Sequence, residues 1–407
     1  MKKAVAPLFL LSILLTFALM GHSSYHDRSL GETLSMIFNG KEPANEALAE
    51  KKDNPAPKKK KTTHHARKSK PIRNEAKDEK SAFVAQSYQP LPGNKFYKID
   101  RHARKSNALQ EASIASLAAY LSEPASTDLE KTRAIYIWLT KHISYDDTGY
   151  NSGEYGDNSA TGVLQSRRAV CAGFSNLFLA LGEEMGLAVK KIRGYSKGYS
   201  YHPGKPMTDT DHAWNQVLID GDWRIFDATW GEGYATKVNG KMKSVKEYEE
   251  YWFNVDPYEA IFNHYPQNAQ DAHVKPLPSL DRYGKMPYAP GRFFALGFSG
   301  KEALENVREH PNLEFPEAYG AQSHVEIRKA PKHKTLSQRK TYDFEIYVPR
   351  GRRVALIDAN QEYHYLEVEK GIFSTEFKPG VAGDLKVAIE YEKERWLFHT
   401  LLTYEVK

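Results

Sequence analysis

Apolar residues recur at helical spacing in two stretches before residue 143. Those between Ile114 and Leu121 follow the i, i+3, i+4 pattern and predict a helix that ends before Pro124. A second helix is predicted to begin after Thr127, because Glu130 lies three residues later and completes a capping box. The apolar face of this second helix consists of Ile135, Trp138 and Leu139. We interpret both apolar faces as parts of a hydrophobic core.

A third helical pattern follows the single cysteine of the 407-residue chain, Cys171. Its apolar positions are Phe174, Leu177, Phe178, Leu181 and Met185. Gly182 and Gly186 mark the end of the pattern. Cys171 is therefore predicted to stand at the N-terminus of an amphipathic helix.

Two β-rich runs, 212–219 and 222–230, are joined by Asp220-Gly221, which is a strong signal for a hairpin with a two-residue loop. In that register His212 shares one face of the hairpin with Asp227, in a diagonal relation. Such a relation places their Cβ atoms roughly 5–8 Å apart, close enough for a hydrogen bond between imidazole and carboxylate. A longer turn would shift the register by one residue and separate the two side chains.

Alternating runs predict further β-structure. Residues 187–195 are predicted to form a strand beside the hairpin. After residue 341 the alternating runs are 342–348, 353–357, 385–391 and 396–404. Turn residues separate these runs and predict an antiparallel β-sandwich. The stretch 291–317 gives no firm assignment.

The first 21 residues predict export. Lys2-Lys3 precede seventeen uncharged residues, 4–20, which is typical of a secretory signal peptide. As a helix this run would span about 25 Å, slightly less than a bilayer core of ~30 Å. The alternative to a cleaved signal peptide is an uncleaved segment that anchors the protein in the membrane. We expect a protein that is periplasmic or extracellular, or anchored in the membrane and facing away from the cytoplasm.

Residues 22–95 are predicted to form a disordered basic linker. Between residues 41 and 80 there are thirteen Lys and Arg but seven Asp and Glu, an excess of six that equals the net charge of the whole chain. An anionic surface of the cell envelope is the expected partner of this segment, since nucleic acid would rarely be met after export. A solvated spacer without a specific partner is an equal alternative.

Cys171, His212 and Asp227 together supply what an activated thiol requires. A histidine accepts the thiol proton, and an acid fixes the histidine tautomer and stabilises the imidazolium. A thiol at a helix N-terminus also faces unpaired backbone N–H groups, which favour the thiolate. A buried core cysteine is the commoner state of a lone thiol, but the histidine and the acid favour a catalytic site.

Several segments resemble the transglutaminase-like superfamily, a branch of the papain-like folds. Three segments resemble its signature blocks: residues 169–174, 211–215 and 226–231. Residues 132–146 are similar to the helix that precedes the cysteine block in bacterial members. The blocks 251–257 and 262–266 are similar to the kyphoscoliosis-peptidase-like branch. The resemblance covers about residues 95–280.

The resemblance implies a cysteine-dependent enzyme that acts on a protein or peptide. Cys171 would attack a peptide or carboxamide carbonyl, His212 would act as base and then acid, and Asp227 would orient His212. The resulting thioester would pass to water, as in a protease or amidase, or to an amine, as in a transglutaminase. A catalytically silent scaffold or binding protein of the cell envelope is the alternative, because domains of this type also serve as interaction modules.

Two further residues are candidates for the cleft. Gln165 lies six residues before Cys171, and papain-like enzymes use a glutamine placed in this way to donate to the oxyanion. Trp214 is a candidate for the cleft wall. The backbone N–H of Cys171 is the safer oxyanion donor, and His202 is interpreted as a loop residue. We expect neither cofactor nor metal, since the sequence contains no glycine-rich phosphate loop, CxxC pair or calcium-type acidic cluster.

The predicted fold is α+β, with a papain/transglutaminase-like core of N-terminal helices and an antiparallel sheet over residues 96–280. A mainly β, sandwich-like C-terminal domain is predicted over 281–407. Residues 1–21 are predicted to be the leader, and residues 22–95 the linker.

Overall fold

The computed structural model describes residues 95–321, 323–391 and 397–407. The predicted leader and, except for Lys95, the predicted basic linker lie outside these residues. In the described part of the chain, no helix combines the length and the apolar character that are needed to cross a bilayer.

Helices dominate the first part of the described chain. The α-helices are α1 (Tyr97–Ala103), α2 (Ile114–Ser122), α3 (Asp128–His142), α4 (Asp147–Ser152), α5 (Ala160–Ser166), α6 (Cys171–Glu184), α7 (Ala228–Glu232), α8 (Pro257–Ala260), α9 (Leu280–Lys285), α10 (Gly291–Ala295) and α11 (Gly300–Glu309). Two 3₁₀ turns cover Glu250–Trp252 and Ala269–Ala272. Helix α2 ends before Pro124, and Thr127 and Glu130 form the predicted capping box at the start of α3.

Strands form the central sheet and most of the C-terminal region. The earlier strands are β1 (Ser144–Tyr145), β2 (Arg168–Ala169), β3 (Val189–Ser196), β4 (His212–Ile219), β5 (Asp222–Phe226), β6 (Gly233–Val238), β7 (Lys241–Lys246), β8 (Phe253–Val255) and β9 (His264–Pro266). The later strands are β10 (Glu317–Ala318), β11 (Glu326–Lys329), β12 (Thr335–Leu336), β13 (Tyr342–Tyr347), β14 (Arg353–Ile357), β15 (Tyr363–Tyr365), β16 (Glu367–Glu369), β17 (Ile372–Phe377), β18 (Gly383–Glu390) and β19 (Phe398–Val406).

The central sheet is antiparallel, with strand order β8-β5-β4-β3-β9. Ile219 pairs with Asp222, so the loop of the β4–β5 hairpin has the two residues that the sequence predicts. Asp220 and Gly221 both have positive φ, 54° and 90°, as a type I′ turn requires. This turn fixes the register, and the register determines which side chains of β4 and β5 share a face.

Helix α6 packs against this sheet through the predicted apolar face. Leu177, Phe178 and Leu181 are fully buried, and the ring of Phe178 stacks on that of Phe226 with centroids 6.2 Å apart. These residues belong to one continuous core with the apolar faces of α2 and α3. The N-terminus of α6 is thereby held against the sheet.

Arg133 in α3 connects this core to the turn at residues 250–252. Its guanidinium is completely buried and donates to both carboxylate oxygens of Asp100, at 2.7 and 2.8 Å. It also donates to both carboxylate oxygens of Glu250, at 2.6 and 2.8 Å. Two forked ion pairs therefore join α1, α3 and the segment that leads into β8.

The C-terminal region is mainly β, as predicted. One sheet has the order β10-β19-β18-β14-β15, with β12 also on β19, and the other has the order β11-β13-β17-β16. A second apolar core includes residues of both sheets, of α10 and α11, and Phe262 and Val274 from before residue 280. Helices α10 and α11 account for most of the stretch that the sequence left unassigned.

Candidate active site

Cys171 is the first residue of α6 and a free, buried thiol that is 6% exposed. The N-cap residue, Val170, provides no side-chain cap for the helix. The segment before the helix is held by Asn158, whose side-chain oxygen accepts the backbone N–H of Val170 at 3.3 Å. A thiol in this position lies beside the first backbone N–H groups of the helix, which have no hydrogen-bond acceptor in the side chain of Val170.

His212 and Asp227 form a buried hydrogen bond of 2.6 Å between Nε2 and Oδ2. His212 begins β4, and Asp227 follows β5 directly and caps the N-terminus of α7. The two side chains are 5% and 1% exposed. The two-residue hairpin loop thus brings together the pair that the sequence places on one face.

The protonation of His212 is governed by its neighbours. Burial alone lowers the pKa of His212, but the charge and hydrogen bond of Asp227, together with the neighbouring Cys171, raise the pKa well above its ordinary value. Because Nε2 is bound to Asp227, Nδ1 is the ring nitrogen left for Cys171. At neutral pH His212 therefore carries a proton beside the thiol.

Asp227 accepts four hydrogen bonds. Oδ1 accepts the backbone N–H groups of Thr229 and Trp230, at 2.9 and 3.0 Å. Oδ2 accepts Nε2 of His212 at 2.6 Å and Nε2 of His264 at 2.8 Å. Burial opposes ionisation, but the two histidines hold the pKa of Asp227 well below its usual range. The carboxylate is fixed in position and charged.

His264 is the site residue that sequence reasoning missed. It begins β9 and pairs with Ser196 on β3. This pairing places it beside Asp227, from which 37 residues separate it along the chain. Its side chain is 1% exposed and is surrounded by the rings of Trp214, Trp230 and Trp252, with centroids 4.9, 4.5 and 4.8 Å away. The only sequence signal was its place in the block 262–266, because no turn connects it to the hairpin.

A cavity of ≈460 Å³ opens over Cys171 and His212. Its aromatic lining includes Tyr145, Tyr150, Tyr199, Tyr201, Trp230, Trp252 and Tyr288. Its charged lining consists of Lys197, Asp211, Glu232, Glu249 and Arg292. A larger cavity of ≈650 Å³ lies between α11 and the strands β11 and β13, but none of the predicted site residues lines it. The smaller cavity is therefore the candidate substrate cleft.

The two cleft candidates from the sequence do not line this cavity. Gln165 is exposed near the end of α5, so its side chain faces solvent and not Cys171. Trp214 is 2% exposed and stacks on the side of His212, with ring centroids 5.9 Å apart. Trp214 lies two residues after His212 on the same face of β4 and belongs to the apolar core, where it supports the histidine. His202 is an exposed loop residue, as interpreted from the sequence.

Two groups of side chains within the described residues have the spacing of metal ligands. The first is His212, Asp227 and His264, and the second is Asp358, Glu362 and His364. In the first group, the hydrogen bonds to Asp227 already account for the short distances. In the second, Asp358 caps its own loop and accepts Nε2 of His364 at 3.1 Å. We assign no metal to either group.

Residues 115–228 match the family model described as the transglutaminase-like superfamily. This chain is 27% identical to the kyphoscoliosis peptidase of Homo sapiens over 77% of its own length and 43% of that protein. It is 28% identical to the Lim and transglutaminase domain protein ltd-1 of Caenorhabditis elegans, over 59% and 34%. It is 27% identical to hillarin of Drosophila melanogaster, over 50% and 26%. The chain thus spans less than half the length of these relatives.

Proposed function

The central domain of this chain, matched over residues 115–228, belongs to the transglutaminase-like superfamily, and from that premise we propose a cysteine-dependent enzyme that cleaves peptide or carboxamide bonds through a thioester. The observation that carries the proposal is the cavity, which reaches both Cys171 and His212 while His212 is bound to Asp227 at 2.6 Å. The proposed nucleophile and base thus line a cleft that a substrate can reach, and the proposed orienting acid is buried behind the base.

In the first half of the reaction, the thiolate Sγ of Cys171 attacks the carbonyl carbon and forms a C–S bond. The backbone N–H groups at the start of α6 stabilise the negative oxygen of the tetrahedral intermediate. The proton held by His212 moves from Nδ1 to the nitrogen of the leaving amine or ammonia, and the C–N bond breaks. Asp227 remains ionised and stabilises the imidazolium before the transfer.

In the second half, water or an amine attacks the thioester. His212, now neutral, takes a proton from the attacking group, and the thiolate of Cys171 leaves. The product is an acid when water attacks and a new amide when an amine attacks. The choice depends on how well the cleft excludes water, since the chemistry of the three side chains is the same in both cases.

Both outcomes are tested with one protein substrate, casein, in the presence of monodansylcadaverine. Transamidation attaches the fluorescent amine to casein, whereas peptidase activity produces shorter fragments. Either product from the wild type and neither from Cys171→Ser is the expected result. A wild type that binds casein without turnover, at the same strength as Cys171→Ser, would instead favour the scaffold alternative.

We also propose that the enzyme acts outside the cytoplasm, with its basic linker near an anionic envelope surface. Support comes from the uncharged run at residues 4–20 and from the excess of Lys and Arg between residues 41 and 80. N-terminal sequencing of the protein recovered from a bacterial periplasm tests the export. A chain retained in the cytoplasm with Met1 intact would contradict it.

A further inference from the structure

His264 is a buried titratable residue that the proposed reaction does not use. Its Nε2 lies 2.8 Å from Oδ2 of Asp227, the same oxygen that accepts Nε2 of His212. Its other ring nitrogen, Nδ1, is buried and has no hydrogen-bond partner. These contacts determine the protonation state of His264.

An ionised carboxylate accepts hydrogen bonds and cannot donate them, so Nε2 of His264 must carry a proton. A proton on Nδ1 as well would leave a charged N–H group buried without an acceptor, which is far more costly than an unused lone pair. The charged groups that act on His264 are Asp227 and His212, and burial lowers the pKa of His264 below its ordinary value. His264 is therefore a neutral imidazole with its proton on Nε2.

Three tryptophan rings hold this imidazole in place, and β9 holds its backbone. Trp214 and Trp230 also contact the ring of His212, with centroids 5.9 and 5.5 Å away. Asp227 is thus clamped on one oxygen by backbone N–H groups and on the other by two imidazoles. Removing the hydrogen bond from His264 would leave Oδ2 with His212 alone.

We propose that His264 is a positioning residue, which donates its Nε2–H to Asp227 and so keeps the carboxylate ionised and directed at His212. The inference rests on the proposed function, because it assigns to His264 the support of the same acid. His264 itself does not line the substrate cleft.

The test compares His264→Met with His264→Gln. The two side chains have the same chain length, but only glutamine offers an N–H donor near the position of Nε2. The rate at which iodoacetamide labels Cys171 is measured against pH in the full chain, with thermal unfolding as a control for folding. The labelling rate must decline at low pH, because alkylation requires the thiolate, and the His212 imidazolium that Asp227 stabilises favours the thiolate.

In His264→Met this decline is expected about one pH unit higher than in the wild type, which means about tenfold slower labelling at a fixed pH on that limb. His264→Gln is expected to restore most of the difference. A purely structural role would reduce thermal stability in both variants without moving the pH at which labelling declines. That result would overturn the inference. If His264→Met does not fold, a wild-type profile in His264→Gln supports it and a shifted one contradicts it.

The same experiment separates this inference from the proposed function. Slow labelling of the wild type at about pH 6 would contradict the activated thiol itself. Fast wild-type labelling with no change in His264→Met would contradict only the role of His264.

Discussion

Nε2 of His212 donates to Oδ2 of Asp227 at 2.6 Å, although fifteen residues separate them along the chain. The contact exists because a two-residue loop closes the β4–β5 hairpin and Asp227 then caps α7. This one relationship orients the imidazole, leaves Nδ1 for Cys171 and places the charged pair out of water.

Asp227→Asn should reduce turnover by about 10²–10⁴-fold, because the neutral amide cannot stabilise the His212 imidazolium. The measurement is the rate of casein modification, with Asp222→Asn on the exposed start of β5 as the matched control. An Asn variant with wild-type turnover would contradict the role of the acid.

The same pair should make stability depend on pH. The pKa of Asp227 is lowered by folding, so its contribution is complete above its ordinary value near 3.8 and is lost as the pH falls further. The pKa of His212 is raised, so its contribution is complete below about 6.5 and declines as the pH rises. The difference in free energy of unfolding between wild type and Asp227→Asn should therefore be largest between about pH 4 and 6.5. Denaturant titrations across this range provide the check, and a difference that does not vary with pH contradicts the assignment.

Gly173→Ala should destabilise the start of α6. A Cβ at residue 173 would lie 2.6 Å from Oδ1 of Asn158 and 2.7 Å from Cβ of Ala169, so the segment before Cys171 would have to move. We expect a loss of about 1–3 kcal/mol in the free energy of unfolding, together with slower labelling of Cys171. Gly156→Ala is the control, since a Cβ there meets nothing within 4 Å. Equal behaviour of the two variants would show that close packing at Gly173 is not required.

Arg133→Met should be one of the most destabilising substitutions in the central domain. It would leave Asp100, which is fully buried, without its bidentate partner, at a cost of about 3–5 kcal/mol. Arg168→Met is the matched control, because its partner Asp146 forms an exposed ion pair worth at most about 1 kcal/mol. Chemical unfolding of both variants measures the contrast, and similar losses would contradict the structural role of the Arg133 network.

Lys197 should make stability rise with pH on the alkaline side, opposite to the contribution of His212. Its ammonium group is buried and donates to the backbone oxygen of Met286 at 2.7 Å, and burial lowers its pKa to about 7. Between about pH 7 and 10.5 the unfolded chain binds more protons at this residue, so stability relative to Lys197→Met should rise with pH. Thermal unfolding at pH 6, 8 and 10 tests the trend, and a constant difference from Lys197→Met would contradict it.

The sequence predicts those parts of the site that depend on local pattern. The Asp220-Gly221 turn determines the register of the hairpin, and the apolar repeat after Cys171 places the thiol at a helix start. The same reasoning could not find His264, because β9 reaches Asp227 only through its pairing with β3. It also expected Gln165 and Trp214 in the cleft, which neither lines, since distance along the chain does not say which way an exposed helix residue points or how deeply a residue of β4 is covered.

The C-terminal region shows the same limit. Alternating apolar residues predict the sandwich after residue 341, and the structure has two sheets there. Helix α10 packs against β10 and the turn at 250–252, and α11 packs against α8, so both helices contribute to a core that elements distant in the chain share. Helix α11 does carry a local signal, since Ser299 caps it and Ala303, Leu304 and Val307 form its buried face.

The most direct test of the central claim is the rate at which iodoacetamide alkylates Cys171 as a function of pH, in the wild type and in His212→Ala. His202→Ala serves as the control, because His202 is an exposed loop histidine. The account predicts fast labelling of the wild type and of His202→Ala at about pH 6, and its collapse in His212→Ala. Labelling that rises only above about pH 8 in all three proteins would mean that the thiol is not activated and would contradict the account.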